Sequence, residues 1–103
     1  MEKMYVLLRK DLDPVYRMVQ GTHAVAEFIL RHPDCAAEWN NGYLIFTETN
    51  NQSSLSDWCY RLTVANIDHE QFYEPDLGHE LTAVAFLATE EIGKKLRLHR
   101  PIA

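Results

Sequence analysis

The sequence predicts a single α/β domain in which helices flank a mixed four-stranded sheet. Short apolar runs alternate with segments of helical periodicity, and this alternation gives the element order β-α-(α)-β-α-β-β-α. The chain has 103 residues, of which 47% are hydrophobic, so residues 1–103 have the length and apolar content of one domain. Neither a disordered nor a fibrous chain has this composition.

Four segments predict strands. The first and the last are continuous apolar runs, which is typical of buried strands, and the last is expected in the centre of the sheet. The helical crossovers between the early strands favour parallel pairing, whereas the short link between the third and fourth strands permits an antiparallel pair. The predicted strands are residues 5–8, 43–49, 70–73 and 81–88.

The segment after the first strand predicts the longest helix. Asp13 can cap its N-terminus, Pro14 suits its first position, and the helix stops at His32, before Pro33. Seven side chains recur at helical spacing and form one stripe, which predicts the face that packs on the sheet. This stripe consists of Val15, Met18, Val19, Thr22, Ala26, Ile29 and Leu30.

Three shorter helices are also expected. Residues 34–40 form the first, with Trp39 as its anchor in the core. Ser54 and Asp57 resemble a capping box that opens the next helix, and Thr89 precedes two acidic residues that favour the start of a terminal helix. The helix after Ser54 has one apolar face, formed by Leu55, Trp58, Cys59 and Leu62.

Charge and composition limit the classes of function. The net charge is −5, which argues against a large nucleic-acid footprint, although basic side chains cluster near both ends. No apolar run is long enough to span a membrane, and the N-terminus lacks the basic region of a signal peptide. Cys35 and Cys59 have no metal-site spacing, so the sequence predicts a cytoplasmic protein with reduced thiols and no metal.

A polar strip on the long helix is the first place where chemistry is expected. Tyr16, Gln20, His23 and Glu27 fall within about 60° of one another at 100° per residue, along one margin of the apolar stripe. His23 could carry a proton or bind substrate there. The alternative is a solvated helix edge in which His23 is hydrogen-bonded to the backbone.

The turn before the last strand is the second place. Residues 74–80 contain three carboxylates and an imidazole, which could bind a cation, polarise a hydroxyl or simply form a solvated turn. Thr82 follows within an apolar strand, and a buried threonine must find a hydrogen bond. Asp76 is the predicted partner, and Thr22 is expected to face the core and reach the same region from the helix.

Four short motifs, spread in the same order over most of the chain, resemble those of the type II peptidyl-tRNA hydrolases. The block on the long helix is the most specific of them. The matching segments are Arg9-Lys10-Asp11-Leu12 for R-x-D-L, Gln20-Gly21-Thr22-His23-Ala24 for Q-x-[ST]-H-A, Asp76-Leu77-Gly78 for D-x-G, and Thr82-Ala83-Val84-Ala85 for T-x-x-A/G.

The resemblance implies a divergent, short member of that superfamily, which cleaves the ester joining a peptide to the 3′ end of tRNA. It implies His23, Asp76 and Thr82 as catalytic residues, and it implies no cofactor. Tyr16 stands where the family has a lysine, and the loop before the last strand is shorter than in the family. The implied substrate-binding residues are Tyr16, Arg17, Gln20, Thr22, Gly78 and His79.

Two other hypotheses stay open beside this hydrolase. One is a catalytically inactive module on the same fold that binds an RNA end, a nucleotide or a protein. Arg17 could hold phosphate for it, but arginine cannot replace a lysine that must lose a proton. The other is a homodimer in which Trp39 and the pair Phe72-Tyr73 provide exposed apolar surface.

Overall fold

The computed structural model describes residues 1–98 and 102 and confirms the predicted α/β order. The strands are β1 (Glu2–Arg9), β2 (Leu44–Thr49), β3 (His69–Glu74) and β4 (Glu80–Thr89). The helices are α1 (Pro14–Arg31), α2 (Pro33–Trp39), α3 (Gln52–Val64) and α4 (Glu90–Leu96). A short 3₁₀ turn, Pro75–Leu77, lies between β3 and β4.

The four strands form one mixed sheet in the order β2-β1-β4-β3. As predicted, β1 is parallel to β2, with Val6 opposite Phe46, and β3 is antiparallel to β4. The two central strands are antiparallel to each other, with Val6 opposite Ala85. β4 is therefore a central strand, and its residues between the two ends are all buried.

The β3–β4 ladder contains an irregularity that redirects Thr82. Phe72 lies opposite Ala83 whereas Tyr73 lies opposite Leu81, so β4 carries one extra residue between these pairs. Such a β-bulge re-aims the side chain of the bulged strand. The hydroxyl of Thr82 consequently reaches α1, although regular alternation along the strand would place it on the opposite face of the sheet.

Apolar side chains pack on both faces of the sheet. On one face, Leu7 and Phe86 lie against α3. On the other face, Val6 lies against Ala24 and Phe28 of α1. The predicted apolar face of α3 is confirmed, because its four members are all buried: Leu55, Trp58, Cys59 and Leu62.

The predicted packing face of α1 is wrong. Its buried residues are Gln20, Gly21, Ala24 and Phe28, and none of them belongs to the predicted stripe. At 100° per residue the stripe lies on the opposite side of the helix and faces away from the sheet. The seven stripe residues, which we call the α1 stripe, are Val15, Met18, Val19, Thr22, Ala26, Ile29 and Leu30, and Val15 is 75% exposed.

Gly21 explains this orientation of α1. A Cβ atom at Gly21 would lie 2.6 Å from Cδ2 of Leu8 and 3.3 Å from Cγ1 of Val6. The helix therefore approaches β1 more closely through its glycine than any larger residue would allow. Phe28 and Ala24 fill the remaining space along the same face.

The caps agree with prediction at α1 and differ at α3. Oδ2 of Asp13 accepts the backbone N–H of Val15 at 3.2 Å, as expected of an N-cap. At α3, Oδ1 of Asn51 accepts the backbone N–H of Ser54 at 3.0 Å, so the predicted capping box at Ser54 is wrong. Asparagine caps as well as serine does, and it starts the helix earlier, at Gln52.

Other predicted features fall within the described residues. Trp39 is partly buried against the core, and its indole N–H donates to the carbonyl of Tyr43 at 2.9 Å. Cys35 is exposed, and burial raises the pKa of the Cys59 thiol to about 12. Across residues 1–98 and 102, no helix combines the length and apolar character needed to cross a membrane.

Candidate functional site

Three buried polar side chains meet where α1 lies over β3 and β4. Nε2 of Gln20 donates to Oε1 of Glu74 at 2.9 Å, and Oε1 of Gln20 accepts the hydroxyl of Thr82 at 2.7 Å. A carboxylate only accepts hydrogen bonds, so the amide nitrogen must face Glu74 and the amide oxygen is left for the hydroxyl. We call Gln20, Glu74 and Thr82 the Gln20 network. Gln20 and Thr82 are 0% exposed and Glu74 is 8% exposed.

Glu74 is held in its charged form. The hydrogen bond from Gln20 is the main cause that lowers the pKa of Glu74, and burial partly opposes it. The backbone N–H of Asp76, the hydroxyl of Tyr16 and the charge of His23 lower this pKa further. Glu74 is therefore an ionised, almost buried carboxylate at neutral pH, with its orientation fixed by several donors.

Tyr16 and His23 stand beside this carboxylate at the surface. Burial raises the pKa of Tyr16, and the charge of Glu74 and the hydrogen bond to it raise this pKa further. Tyr16 therefore keeps its hydroxyl proton at neutral pH and remains a donor. The exposed ring of His23 stacks on Phe72, with centroids 4.6 Å apart and planes 8° apart. The stack holds the imidazole at the edge of β3.

We expect Glu74 to make folding stability depend on pH. The pKa of Glu74 is lower in the folded chain than in the unfolded chain, so its contribution is present above the ordinary carboxyl range. This contribution is lost as the pH falls through the lowered pKa. In Glu74→Gln the loss of stability in acid should be smaller, which urea unfolding from neutral to acidic pH would measure. Equal acid slopes for both proteins would contradict this assignment.

The structure brings together four of the residues that the sequence singles out: Tyr16, Gln20, His23 and Thr82. Asp76 does not join Thr82, and the prediction of that hydrogen bond is wrong. Thr82 lies within hydrogen-bonding distance of Gln20 and of the carbonyl of Phe72, at 3.3 Å. Asp76 is exposed because it lies in the 3₁₀ turn after β3.

Thr22 and Arg17 lie away from the Gln20 network. The expectation that Thr22 faces the core is wrong, because α1 turns it to solvent, where its hydroxyl donates to the carbonyl of Met18 at 2.9 Å. The guanidinium of Arg17 pairs with Glu48 of β2 and donates to the carbonyl of Leu12 at 2.7 Å. Arg17 thus secures the connection between β1 and α1.

Gly78 and His79 belong to the exposed turn that follows Glu74. Both have left-handed backbone angles, with φ of 62° and 63°. The backbone N–H of His79 donates to the carbonyl of Glu74 at 2.9 Å, which closes the turn. A Cβ at Gly78 would meet no atom within 4 Å, so the space around it does not require glycine. Glycine is favoured there because it adopts the left-handed backbone angle without steric cost. The structure therefore places both residues beside the site, on its solvent side.

The R-x-D-L motif has a structural role. The guanidinium of Arg9 is bidentate to Asp11, at 3.0 and 2.8 Å, and donates to Glu80 at 2.8 Å and to the carbonyl of Leu81 at 3.0 Å. These bonds join the end of β1 to the start of β4. Arg9 is buried and fully engaged, so it fixes the strand that carries Thr82.

Sequence reasoning missed Phe72 and the central place of Glu74. Both lie on the same face of β3, two residues apart, which the period of a strand would have indicated once Glu74 was assigned to β3. No group of three or more metal-ligating side chains occurs among residues 1–98 and 102. A cavity of about 790 Å³, lined in part by Trp39 and Tyr43, lies at the other end of the sheet.

Comparisons with known proteins identify the fold. No protein-family model matches the chain, and no curated protein matches it. A solved structure of a protein of unknown function from Agrobacterium tumefaciens strain C58 is similar, with a TM-score of 0.68 and 16% sequence identity. The similarity covers 96% of this chain and 98% of that one. The two proteins share a fold over nearly their whole lengths.

Proposed function

We propose that this protein is a carboxylic-ester hydrolase of the type II peptidyl-tRNA hydrolase superfamily. Its substrate is peptidyl-tRNA or a related RNA-linked ester. The observation that carries the proposal is the ionised Glu74 beside the exposed imidazole of His23, where Glu74 is held by Gln20 and Gln20 is oriented in turn by Thr82. The sequence motif that ends in His23 and Ala24 supports the superfamily. Both cysteines are free, which agrees with a cytoplasmic location.

The reaction uses His23 as a general base. His23 takes a proton from a water molecule, and the water oxygen attacks the ester carbonyl. The carboxylate of Glu74 stabilises the imidazolium that forms, in the way that an aspartate supports histidine in hydrolase triads. The hydroxyl of Tyr16, which is hydrogen-bonded to Glu74 in the resting site, turns its single proton to the oxyanion of the tetrahedral intermediate. Collapse breaks the ester bond, and His23 returns the proton to the leaving ribose hydroxyl.

Gln20 and Thr82 act through Glu74. Both side chains are 0% exposed and are hydrogen-bonded to each other, so neither touches the substrate. In this proposal they are positioning residues, and the catalytic role that the resemblance implies for Thr82 passes to Tyr16 and His23. Asp76, the carboxylate that the resemblance implies, lies exposed at the margin of the site.

One observation favours a second candidate, a module that binds tRNA, another RNA end, a nucleotide or a protein without cleaving it. Tyr16 stands where the resembled family has a lysine. Arg17, the neighbouring cation, is paired with Glu48 and with backbone carbonyls, and arginine cannot replace a lysine that must lose a proton.

Cleavage of labelled peptidyl-tRNA under single-turnover conditions tests the proposal. We expect release of free tRNA, and a rate lowered by about 10²–10⁴-fold in His23→Gln, the range for loss of a general base. His69→Gln is the matched control, because His69 lies on β3, the strand whose Phe72 stacks on His23, but is hydrogen-bonded to Gln71 on the other face. It should retain the wild-type rate.

Two outcomes would contradict the hydrolase. One is no cleavage by wild-type protein in excess over substrate, and the other is equal rates for wild type and His23→Gln. In the first case, retention of the same tRNA on a filter would test the binding module. Retention by the wild-type protein that Glu74→Gln abolishes would establish that second candidate.

A further inference from the structure

A cavity lies beside α4, on the face of the sheet opposite the Gln20 network. Its volume is about 440 Å³, within the range of roughly 300–1,000 Å³ that small-molecule sites occupy. Its floor is the sheet, where Tyr5 of β1 lies opposite Ile45 of β2. Helix α4 and the residues that follow it form the wall. We call it the α4 cavity, and its lining includes Lys3, Tyr5, Ile45, Lys94, Arg97 and Leu98.

The hydroxyl of Tyr5 opens into the α4 cavity without a protein partner. The side chain is 7% exposed, and its ring is fixed by stacking on Phe86, with centroids 5.5 Å apart. Within residues 1–98 and 102, every side-chain oxygen and nitrogen that is sealed from solvent has a hydrogen-bond partner, but the Tyr5 hydroxyl has none. It is therefore not sealed, and the space that it reaches is the cavity that Tyr5 lines. A tyrosine hydroxyl at this depth normally has a partner, which an occupant of the cavity would supply.

Gly93 of α4 leaves room around this hydroxyl. A Cβ atom at Gly93 would lie 2.6 Å from the hydroxyl oxygen of Tyr5 and 3.0 Å from its Cζ. Glycine inside a helix is less stabilising than alanine, so position 93 has lower helix stability and an unobstructed tyrosine beside it. Burial raises the pKa of Tyr5, and the charge of Glu90 raises it further. The hydroxyl therefore keeps its proton at neutral pH and can donate it to a ligand.

Positive charge gathers at the rim of the α4 cavity, although the chain carries a net charge of −5. The charged lining residues are Lys3, Lys94 and Arg97, together with Glu90. Nζ of Lys3 lies 3.8 Å from Oε2 of Glu90 and 5.0 Å from the centre of the Tyr43 ring. Neither contact is a hydrogen bond, so the ammonium can donate to a ligand. Three cations against one carboxylate favour an anion in the cavity.

We propose that the α4 cavity binds a small organic anion that has a carboxylate and an apolar body. One carboxylate oxygen accepts the hydroxyl proton of Tyr5 in a hydrogen bond, and the cations of the rim neutralise the charge. The apolar body packs against Ile45 and Leu98, which are partly buried against the core. An inorganic anion would leave this apolar wall unused, and a neutral molecule would leave the cations unused. The site does not depend on the proposed reaction, which takes place on the other face of the sheet.

Isothermal titration calorimetry of the full chain with octanoate tests the proposal. We expect saturable binding with a Kd below about 10 mM. Binding should be at least about 10-fold weaker for octanamide, which lacks the charge, and for acetate, which lacks the apolar body. The absence of saturable octanoate binding would overturn the proposal. Equal affinity for octanamide or for acetate would overturn it as well, because the rim cations or the apolar wall would then play no part.

Matched variants locate the binding within the molecule. Tyr5→Phe keeps the ring that stacks on Phe86 and should weaken octanoate binding about 10-fold or more, as loss of a hydrogen bond to a charged group does. Tyr60→Phe is its control and should bind as wild type does, because Tyr60 is 72% exposed on α3. Lys94→Gln should weaken binding about 2–5-fold, whereas Lys95→Gln, at the next residue of α4 and outside the lining, should not. Wild-type affinity in Tyr5→Phe would place the binding elsewhere and overturn the proposal.

Discussion

Gln20→Leu should lower the free energy of unfolding by about 3 kcal/mol, because each buried group that loses its hydrogen-bond partner costs about 1–3 kcal/mol. Gln20 is 0% exposed and is hydrogen-bonded to both Glu74 and Thr82. Leucine has a similar size, so the change tests these hydrogen bonds more than the packing. Urea unfolding at neutral pH measures the difference.

Thr82→Val is the matched partner for this experiment. It removes one of the two bonds and should cost about 1–3 kcal/mol, because the buried Oε1 of Gln20 is left without a donor. Gln20→Leu and Thr82→Val share the bond of 2.7 Å, so the double variant should lose less stability than the two single variants together. Full additivity would show that the two side chains do not interact.

Arg9→Met should cost a similar amount, about 3 kcal/mol, at the low end of the range for breaking a buried ion pair. The side chain of Arg9 is 7% exposed, whereas those of Asp11 and Glu80 are 40% and 44% exposed. Water can therefore solvate both carboxylates after the change, which limits the loss. The carbonyl of Leu81 loses its donor, and the two carboxylates lose the cation between them.

Glu80→Gln is the control for Arg9, since an exposed partner of an ion pair contributes at most about 1 kcal/mol. The denaturant midpoints of the two variants would separate the contribution of the ion pair from that of the buried guanidinium. A loss in Glu80→Gln equal to that in Arg9→Met would show that the ion pair, and not the buried guanidinium, closes this end of the sheet.

Most of the fold could be predicted from sequence, and the orientation of α1 could not. α3 has one apolar face bordered by polar residues, so its periodicity identifies the buried side. α1 has two: the α1 stripe, and the face formed by Gly21, Ala24 and Phe28. Periodicity favours the α1 stripe over the other face as the buried side of the helix, because the side chains of the stripe are larger. The close approach at Gly21, which decides the orientation, depends on the strand beneath it.

The candidate site, like the fold, could be predicted only in part from the sequence. Helical spacing alone groups Tyr16, Gln20 and His23, because they share one margin of α1. The choice between Glu74 and Asp76 depends on where β3 ends and the 3₁₀ turn begins, and the aim of Thr82 depends on a β-bulge. Both are backbone features that residue types in the segment do not specify, so the sequence predicts Asp76 as the partner of Thr82 where the structure has Gln20.

The most direct test of the account compares Glu74→Gln with Asp76→Asn in single-turnover cleavage of peptidyl-tRNA. Glu74 is held against Gln20 inside the site, whereas Asp76 lies in solvent. We predict a loss of about 100-fold or more for Glu74→Gln, because His23 loses the carboxylate that supports it, and a rate close to wild type for Asp76→Asn. The reverse result, with activity lost in Asp76→Asn and kept in Glu74→Gln, would contradict the assignment of Glu74 as the working carboxylate.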